Sequence, residues 1–146
     1  MDESNTINNL LEQAGQYYPT YQQGLASHLT MVLIALKGLD APDDLLSKAF
    51  TEHSKKLPLV GDLKDVSALS DIESHLGNSD KYTNYVKYFQ KEIAQKGSHA
   101  VLTKSLPLLI PGIAASAFHA LIRLAYAIEA NHEGEIAIAL AYWCSE

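Results

Sequence analysis

The chain has 146 residues, the length of one ordinary domain, and 47% of them are hydrophobic while 19% are charged. Its formal net charge of -6 and its scattered basic residues argue against nucleic acid as a partner, because phosphate binding needs clustered lysine and arginine. The polar N-terminus lacks the features of a signal peptide, and Pro107 and Pro111 interrupt the uncharged stretch 105–122, so we expect a cytoplasmic protein with no membrane span.

Helical spacing of apolar residues organises the first half of the chain. The leucines after Gly24 recur at i, i+4 and i+8, and Pro42 followed by Asp43 suits the first turn of another helix. Pro58 ends that helix, and 59–64 has the composition of a loop. The predicted helices are 5–16, 24–36, 42–57 and a weaker one over 66–76.

The second half continues the pattern. Ser79 and Asp80 suit the start of an aromatic-rich helix that ends at Gly97. A short helix over 102–109 follows, which we expect Pro107 to interrupt, and Pro111 precedes a long apolar helix that carries His119. After a break at 131–134, the last helix covers 135–143. Cys144 follows it, and as the one cysteine it excludes an internal disulfide.

The chain is predicted to be all-α. No run alternates apolar and polar residues, and no Asn-Gly or Asp-Gly hairpin signal occurs. We therefore expect residues 1–146 to form a single-domain bundle of about seven or eight helices. SHLTMVLIAL around His28 also aligns with FHALIRLAYA around His119, and each segment precedes an acid-started helix. One interpretation of the alignment is duplication of a helix pair. The alternative is chance similarity, because apolar helices often resemble one another in sequence.

Arg123 is the most conspicuous residue of the long apolar helix. It lies four positions after His119, so the two share one helical face. Burying a guanidinium without a partner is costly. Arg123 therefore either binds an anionic group of a ligand, a carboxylate, phenolate or phosphate, or pairs with an acid such as Glu129 or one in 40–44.

Histidines and tyrosines offer further site candidates. His28 and His119 occupy equivalent places in the two aligned segments and could face one another as metal ligands or acid–base groups. The alternative is that each donates a hydrogen bond to a backbone carbonyl. Tyr126 shares the His119 face, and Tyr21 lies shortly before His28, so aromatic residues could line a pocket for a flat ligand or form ordinary core.

Sequence motifs for metals and nucleotides are absent. HExxH and CxxC do not occur, and neither do GxGxxG, GxxxxGK[ST] or GxSxG. His28, His119 and a carboxylate could form a two-histidine, one-carboxylate metal site, but no spacing demands one. We therefore assign no metal site from sequence, and no cofactor follows from the motifs.

The segment from Gly97 to Trp143 resembles the questin oxidase-like family. Met31 and His28 also match that family's earlier NHLPMAL-type helix, although Ser27 and Thr30 replace its usual asparagine and proline. The matching elements are Leu106-Pro107-Leu108, Pro111-Gly112, the AFHALIR block 117–123, Tyr126-Ala127 with Glu129, and LAYW at 140–143.

The resemblance implies a helical oxidoreductase-like protein that binds an aromatic, polyketide-like ligand. For fungal members it implies Baeyer–Villiger-type cleavage of an anthraquinone ring with a reduced nicotinamide as reductant. It makes His28, His119 and Arg123 catalytic candidates, with Arg123 stabilising an enolate or phenolate. It also makes Tyr126 and Met31 ligand-binding candidates, to which the tyrosine cluster before His28 adds Tyr21.

The resemblance is to the N-terminal half of a typical family member. A site between two halves would be incomplete in this chain, so we expect a homodimer in which a second copy supplies the other wall. The alternative is a non-catalytic helical module that serves dimerisation or interaction.

Overall fold

A computed structural model describes residues 3–146 of the chain, with side chains from residue 6 onward. Its described residues form seven α-helices and one two-stranded ladder, which confirms the all-α prediction. The helices are α1 Glu3–Ala14, α2 Leu29–Gly38, α3 Asp43–Ser54, α4 Tyr82–Lys96, α5 Ser98–Leu109, α6 His119–Glu129 and α7 Glu133–Ser145. The ladder pairs β1 Thr20–Tyr21 with β2 Leu25–Ala26 in antiparallel fashion.

The apolar side chains divide into two buried clusters. The first joins α1, α2 and α3 around Leu11, Leu33 and Leu46. The second joins α4, α5 and α6 around α7, whose residues from Glu135 to Ser145 are all buried. A helix without a polar face must be surrounded by protein, and α7 fills that central position. The helices α2 and α6 pack together where the clusters meet.

The second helix begins later than predicted. The segment expected to start it at Gly24 instead forms the β1–β2 hairpin, whose tip has positive φ at Gln22, Gln23 and Gly24. The backbone N–H of Ser27 donates to the Pro19 carbonyl and holds the base of the hairpin. The helix α2 therefore starts at Leu29, directly after His28.

Two other helical predictions need correction. The segment 66–76 contains only a 3₁₀ turn at Glu73–His75, because Asp71 accepts hydrogen bonds from the backbone and hydroxyl of Ser74. Such local bonds compete with helix formation. Pro107 does not interrupt α5, which continues to Leu109. Pro107 has no backbone N–H to donate to the preceding turn of the helix. Because the proline is exposed, this missing hydrogen bond lies on the solvent side of α5.

The chain enters α6 through an unusual backbone conformation. After 3₁₀ turns at Ile110–Gly112 and Ala115–Phe118, three successive residues, Ser116, Ala117 and Phe118, have positive φ. Left-handed conformations cost about 1–2 kcal/mol for each non-glycine residue. The predicted long helix is therefore broken just before its histidine, and His119 becomes the first residue of α6.

The order of elements matches the repeat predicted from the sequence. His28 precedes α2, which is followed by a turn and α3, and His119 opens α6, which is followed by a turn and α7. Within the part of the chain that the structure describes, no helix has both the length and the apolar character needed to cross a bilayer.

Candidate functional site

His28 and His119 meet where the two apolar clusters join. Their Nε2 atoms are 3.2 Å apart, and their rings are perpendicular with centroids 4.9 Å apart. His28 is exposed and His119 is half-buried, so a bound molecule can reach the pair. The two residues are 91 positions apart in the sequence, and the fold brings them into direct contact.

The hydrogen bonds of the pair define its proton positions. The Nδ1 atom of His119 is 2.8 Å from the Ser116 carbonyl oxygen, which only accepts, so Nδ1 carries a proton. In a neutral ring the Nε2 atom of His119 is then an acceptor, and the Nε2–H of His28 donates to it.

Tyr142 on α7 supports this arrangement from the core. Its hydroxyl forms a short hydrogen bond with the Ser116 side chain, and the Ser116 carbonyl accepts from His119. Burial raises the pKa of Tyr142, while the bond to Ser116 opposes that rise, so the phenol stays protonated at neutral pH. The left-handed turn 116–118 is thereby anchored to the central helix, and it sets the direction in which His119 points.

Tyr142→Phe is expected to loosen His119 without unfolding the protein. Losing one hydrogen bond of this kind costs about 0.5–1.5 kcal/mol, since the Ser116 hydroxyl is only half-buried. We expect ¹⁵N spectra of the imidazoles to show the Nδ1–H form of His119 in the wild type and a mixture of both tautomers in the variant. Tyr88→Phe, a control elsewhere in the same buried cluster, should leave the tautomer unchanged, and an unaltered Tyr142→Phe spectrum would contradict the supporting role.

An apolar cleft of about 290 Å³ opens beside the histidine pair. It lies between α2 and α6 and contains four of the residues predicted from sequence, His28, His119, Met31 and Tyr126. The other lining residues are Val32, Ala35 and Ile122. We name this the His–His cleft. Tyr21 does not line it but faces a separate cleft on the other side of His28.

Arg123 lies outside this cleft, in a buried ion pair. Its Nε donates to Glu135 Oε1 at 2.7 Å and its Nη2 donates to Oε2 at 3.2 Å. Arg123 is 3% exposed and Glu135 1% exposed. Burial opposes the guanidinium charge, but Glu135 outweighs it and the pKa of Arg123 is raised. The partner is thus Glu135, where the sequence analysis expected Glu129 or an acid in 40–44.

Helix geometry explains why Arg123 leaves the face of His119. Because each residue of an α-helix is rotated by about 100°, the Arg123 side chain leaves the helix about 40° around its axis from the His119 side chain. This rotation is toward Ala120 and Ala127, which are buried. Ile122 and Tyr126 lie about 20–60° to the other side, toward the cleft. The four-residue spacing does place Arg123 near the face of His119. Arg123 lies at the edge of that face, however, and its side chain is buried in the core.

Three residues of this region were missed by the sequence reasoning. Glu135 had a signal, because an acid inside the strongly apolar last helix needs a partner as much as Arg123 does. Ser116 and Tyr142 had none, since their roles depend on a left-handed turn that no local pattern announces.

In the part of the chain that the structure describes, the lining of the cleft contains two histidines that could bind a metal ion, but no lysine or arginine that could bind the phosphates of a nicotinamide dinucleotide. No cluster of three or more metal-binding side chains occurs among the described residues, so the two histidines are the available pair. The cleft is lined by no lysine or arginine of the described chain, and phosphate groups of a dinucleotide require such donors or a helix N-terminus. The starts of α2 and α6 border the cleft, so its described lining supplies helix N-termini but no cationic side chain for phosphate groups.

Comparison with known proteins matches residues 25–146 to the questin oxidase-like family. Questin oxidase of Aspergillus terreus is 30% identical over 128 residues, covering 79% of this chain and 28% of that protein. Baeyer-Villiger oxidase mdpL of Emericella nidulans is 31% identical, covering 79% and 29%, and oxidoreductase AflY of Aspergillus parasiticus is 31% identical, covering 83% and 27%. The chain thus spans less than a third of these relatives' length, and it belongs to the questin oxidase-like family.

Proposed function

We propose that this member of the questin oxidase-like family supplies the His28–His119 pair and one wall of an oxidoreductase site for aromatic, polyketide-like compounds. The observation that carries the proposal is the pair of facing Nε2 atoms, 3.2 Å apart, at the wall of an apolar cleft. Relatives of similar sequence are named as questin oxidase and Baeyer-Villiger oxidases, which supports oxidation of a ring carbonyl compound.

The cleft suits the edge of a flat ligand. Val32, Ile122 and Tyr126 offer apolar and aromatic contacts for rings, while the histidine pair lies at the polar end. A volume of about 290 Å³ is at the lower limit for ligand pockets, so further protein completes the enclosure. In this arrangement a phenolic hydroxyl of the ligand reaches the pair, which accepts its proton and stabilises the resulting phenolate.

The proposed reaction is insertion of one oxygen atom of O₂ beside a ring carbonyl. The second oxygen atom leaves as water, and the balance requires two electrons and two protons from a reductant such as reduced nicotinamide. Because no lysine or arginine of the described chain lines the cleft, we assign these residues only the binding of the aromatic substrate and the movement of its proton.

Metal binding by the same pair is a second candidate, favoured by its geometry. Two Zn–N or similar bonds of about 2.0–2.1 Å at angles of 90–110° place the nitrogens about 2.9–3.4 Å apart. The observed 3.2 Å lies in that range, and the Nδ1–H of His119 bonded to Ser116 provides the usual orienting contact for a ligating histidine. Remaining ligands would come from outside the described residues.

We further propose that a second copy of the chain covers the cleft. Phe118, Ile122 and Ile128 are 49%, 41% and 44% exposed, and Phe118 adjoins His119 while Ile122 lines the cleft. Exposed apolar residues of this size often mark interfaces. A dimer in light scattering that Ile122→Asp converts to a monomer supports this, and a monomeric wild type at all concentrations refutes it.

Ligand titration tests the proposed cleft. A hydroxyanthraquinone is expected to shift the amide signals of α2 and α6 in the wild type. Ala35→Phe fills the cleft and should abolish those shifts, whereas Ala125→Phe, on an exposed part of α6 outside the cleft, should preserve them. Shifts confined to other helices, or persistence of binding in Ala35→Phe, would favour the non-catalytic interaction module.

A metal titration separates the two roles of the histidines. Equimolar Zn²⁺ or Co²⁺ binding that disappears in His119→Asn supports ligation by the pair. Wild-type protein that takes up no metal while still binding the hydroxyanthraquinone supports proton transfer alone.

A further inference from the structure

A second, smaller cleft lies on the far side of His28. It has a volume of about 170 Å³ and is formed by the β1–β2 hairpin, the start of α2 and the residues that end α3. Its polar lining consists of Tyr21, His28, His53 and Lys56, with Ser27 at its margin. We name this the Lys56 cleft. Because His28 lines both clefts, the two are neighbours.

The charge of the Lys56 cleft is opposite to that of the chain. The protein carries a net charge of -6, yet no aspartate or glutamate of the described residues lines this cleft. Lys56 Nζ lies 4.9 Å from the centre of the Tyr21 ring, a cation–π contact that holds the ammonium at the cleft. The adjacent Lys55 differs, since it pairs with Glu52 at 2.8 Å. Within the described chain, no carboxylate forms an ion pair with Lys56.

The other polar groups also favour an anion. His53 Nδ1 is 2.9 Å from the Ala49 carbonyl, so Nδ1 carries a proton and fixes the ring in place. When His53 is protonated, its Nε2–H becomes a further donor. The Tyr21 hydroxyl supplies another donor at the same cleft. An ammonium, an imidazole and a phenol around one concavity, with no carboxylate of the described residues beside them, suit the oxygens of a carboxylate or phosphate.

We propose that the Lys56 cleft is an oxyanion subsite that binds a carboxylate or phosphate group. The proposal rests in part on the proposed function, because an aromatic acid can place its rings in the His–His cleft and its carboxylate in the Lys56 cleft, on either side of His28. The substrate class is thereby narrowed to aromatic compounds with an acidic substituent. Inorganic phosphate occupies the same subsite without reaching the apolar cleft.

Three probes at constant ionic strength test the subsite by amide chemical shifts. We expect 2-naphthoate to shift signals of 53–57 and of α6, inorganic phosphate to shift 53–57 but not α6, and the neutral analogue 2-naphthylmethanol to shift α6 but not 53–57, because α6 lines only the His–His cleft. Lys56→Gln is expected to weaken 2-naphthoate and phosphate binding about fivefold. Lys55→Gln is the matched control, since it removes a neighbouring charge that Glu52 already pairs, and it should leave both affinities unchanged.

The outcomes separate the subsite from the proposed function. Equal weakening by Lys56→Gln and Lys55→Gln would show general charge attraction and overturn the subsite, as would 2-naphthoate binding no more tightly than 2-naphthylmethanol. If phosphate and 2-naphthoate shift 53–57 and depend on Lys56 while no probe shifts α6, the oxyanion subsite is supported and binding of aromatic rings in the His–His cleft is refuted.

Discussion

Glu135→Leu is expected to lower the free energy of unfolding by about 3–5 kcal/mol, because it leaves the Arg123 guanidinium buried without its carboxylate. Both partners are almost completely enclosed, and two hydrogen bonds join them. Leucine approximates the volume of glutamate, so the loss comes from the unpaired charge more than from a cavity. Urea unfolding followed by circular dichroism measures the change.

The double variant Arg123→Met with Glu135→Leu is the decisive control. Replacing both charges by apolar side chains removes the desolvation cost together with the pair, and such replacements are often neutral or stabilising. We expect the double variant to recover most of the lost stability. Glu92→Gln serves as an external comparison, since its pair with Lys96 is largely solvated on the lysine side and is worth at most about 1 kcal/mol. A double variant as unstable as Glu135→Leu would contradict this account.

The same variants bear on the function of Arg123. If the arginine is structural, as its ion pair indicates, the double variant binds an aromatic ligand in the His–His cleft as the wild type does. Loss of ligand binding in a stable double variant would instead restore Arg123 as a direct ligand-binding residue, as the family resemblance suggested.

Much of the arrangement was predictable from the sequence because local patterns carry it. Apolar spacing defined most helices, and the aligned segments placed His28 and His119 at equivalent positions, so their contact follows once α2 packs on α6. Residues whose role depends on the direction of the side chain were harder to predict from the sequence. Arg123 lies at the boundary between the cleft face and the core, where a rotation of about 40° decides its partner.

Other features escaped prediction because several distant elements determine them. The left-handed turn 116–118 is costly in isolation and persists because Tyr142 holds Ser116 while the Trp143 indole donates to the Gly112 carbonyl. The Lys56 cleft joins a hairpin with the residues at the end of α3, two segments that no local sequence pattern connects. Tyr21 lines the Lys56 cleft, which shares His28 with the His–His cleft.

His119→Asn is expected to reduce turnover by about 10²–10⁴-fold in protein that oxidises an aromatic substrate, the range attributed to a positioned acid–base group. Asparagine is the informative replacement because its amide can donate to the Ser116 carbonyl, as Nδ1 does, while it cannot exchange a proton with His28. The change should therefore appear in kcat, with KM altered little. Oxygen consumption and product formation measure it.

His99→Gln provides the matched control, since His99 is an exposed histidine on α5 remote from the lining of the His–His cleft. We expect His28→Asn to act like His119→Asn and the double variant to be no worse than either, because residues that share one proton function as a unit. Independent, multiplicative losses would show that the two rings act in separate steps. Full activity in both single variants would remove the histidine pair from the reaction and leave the cleft with a binding role.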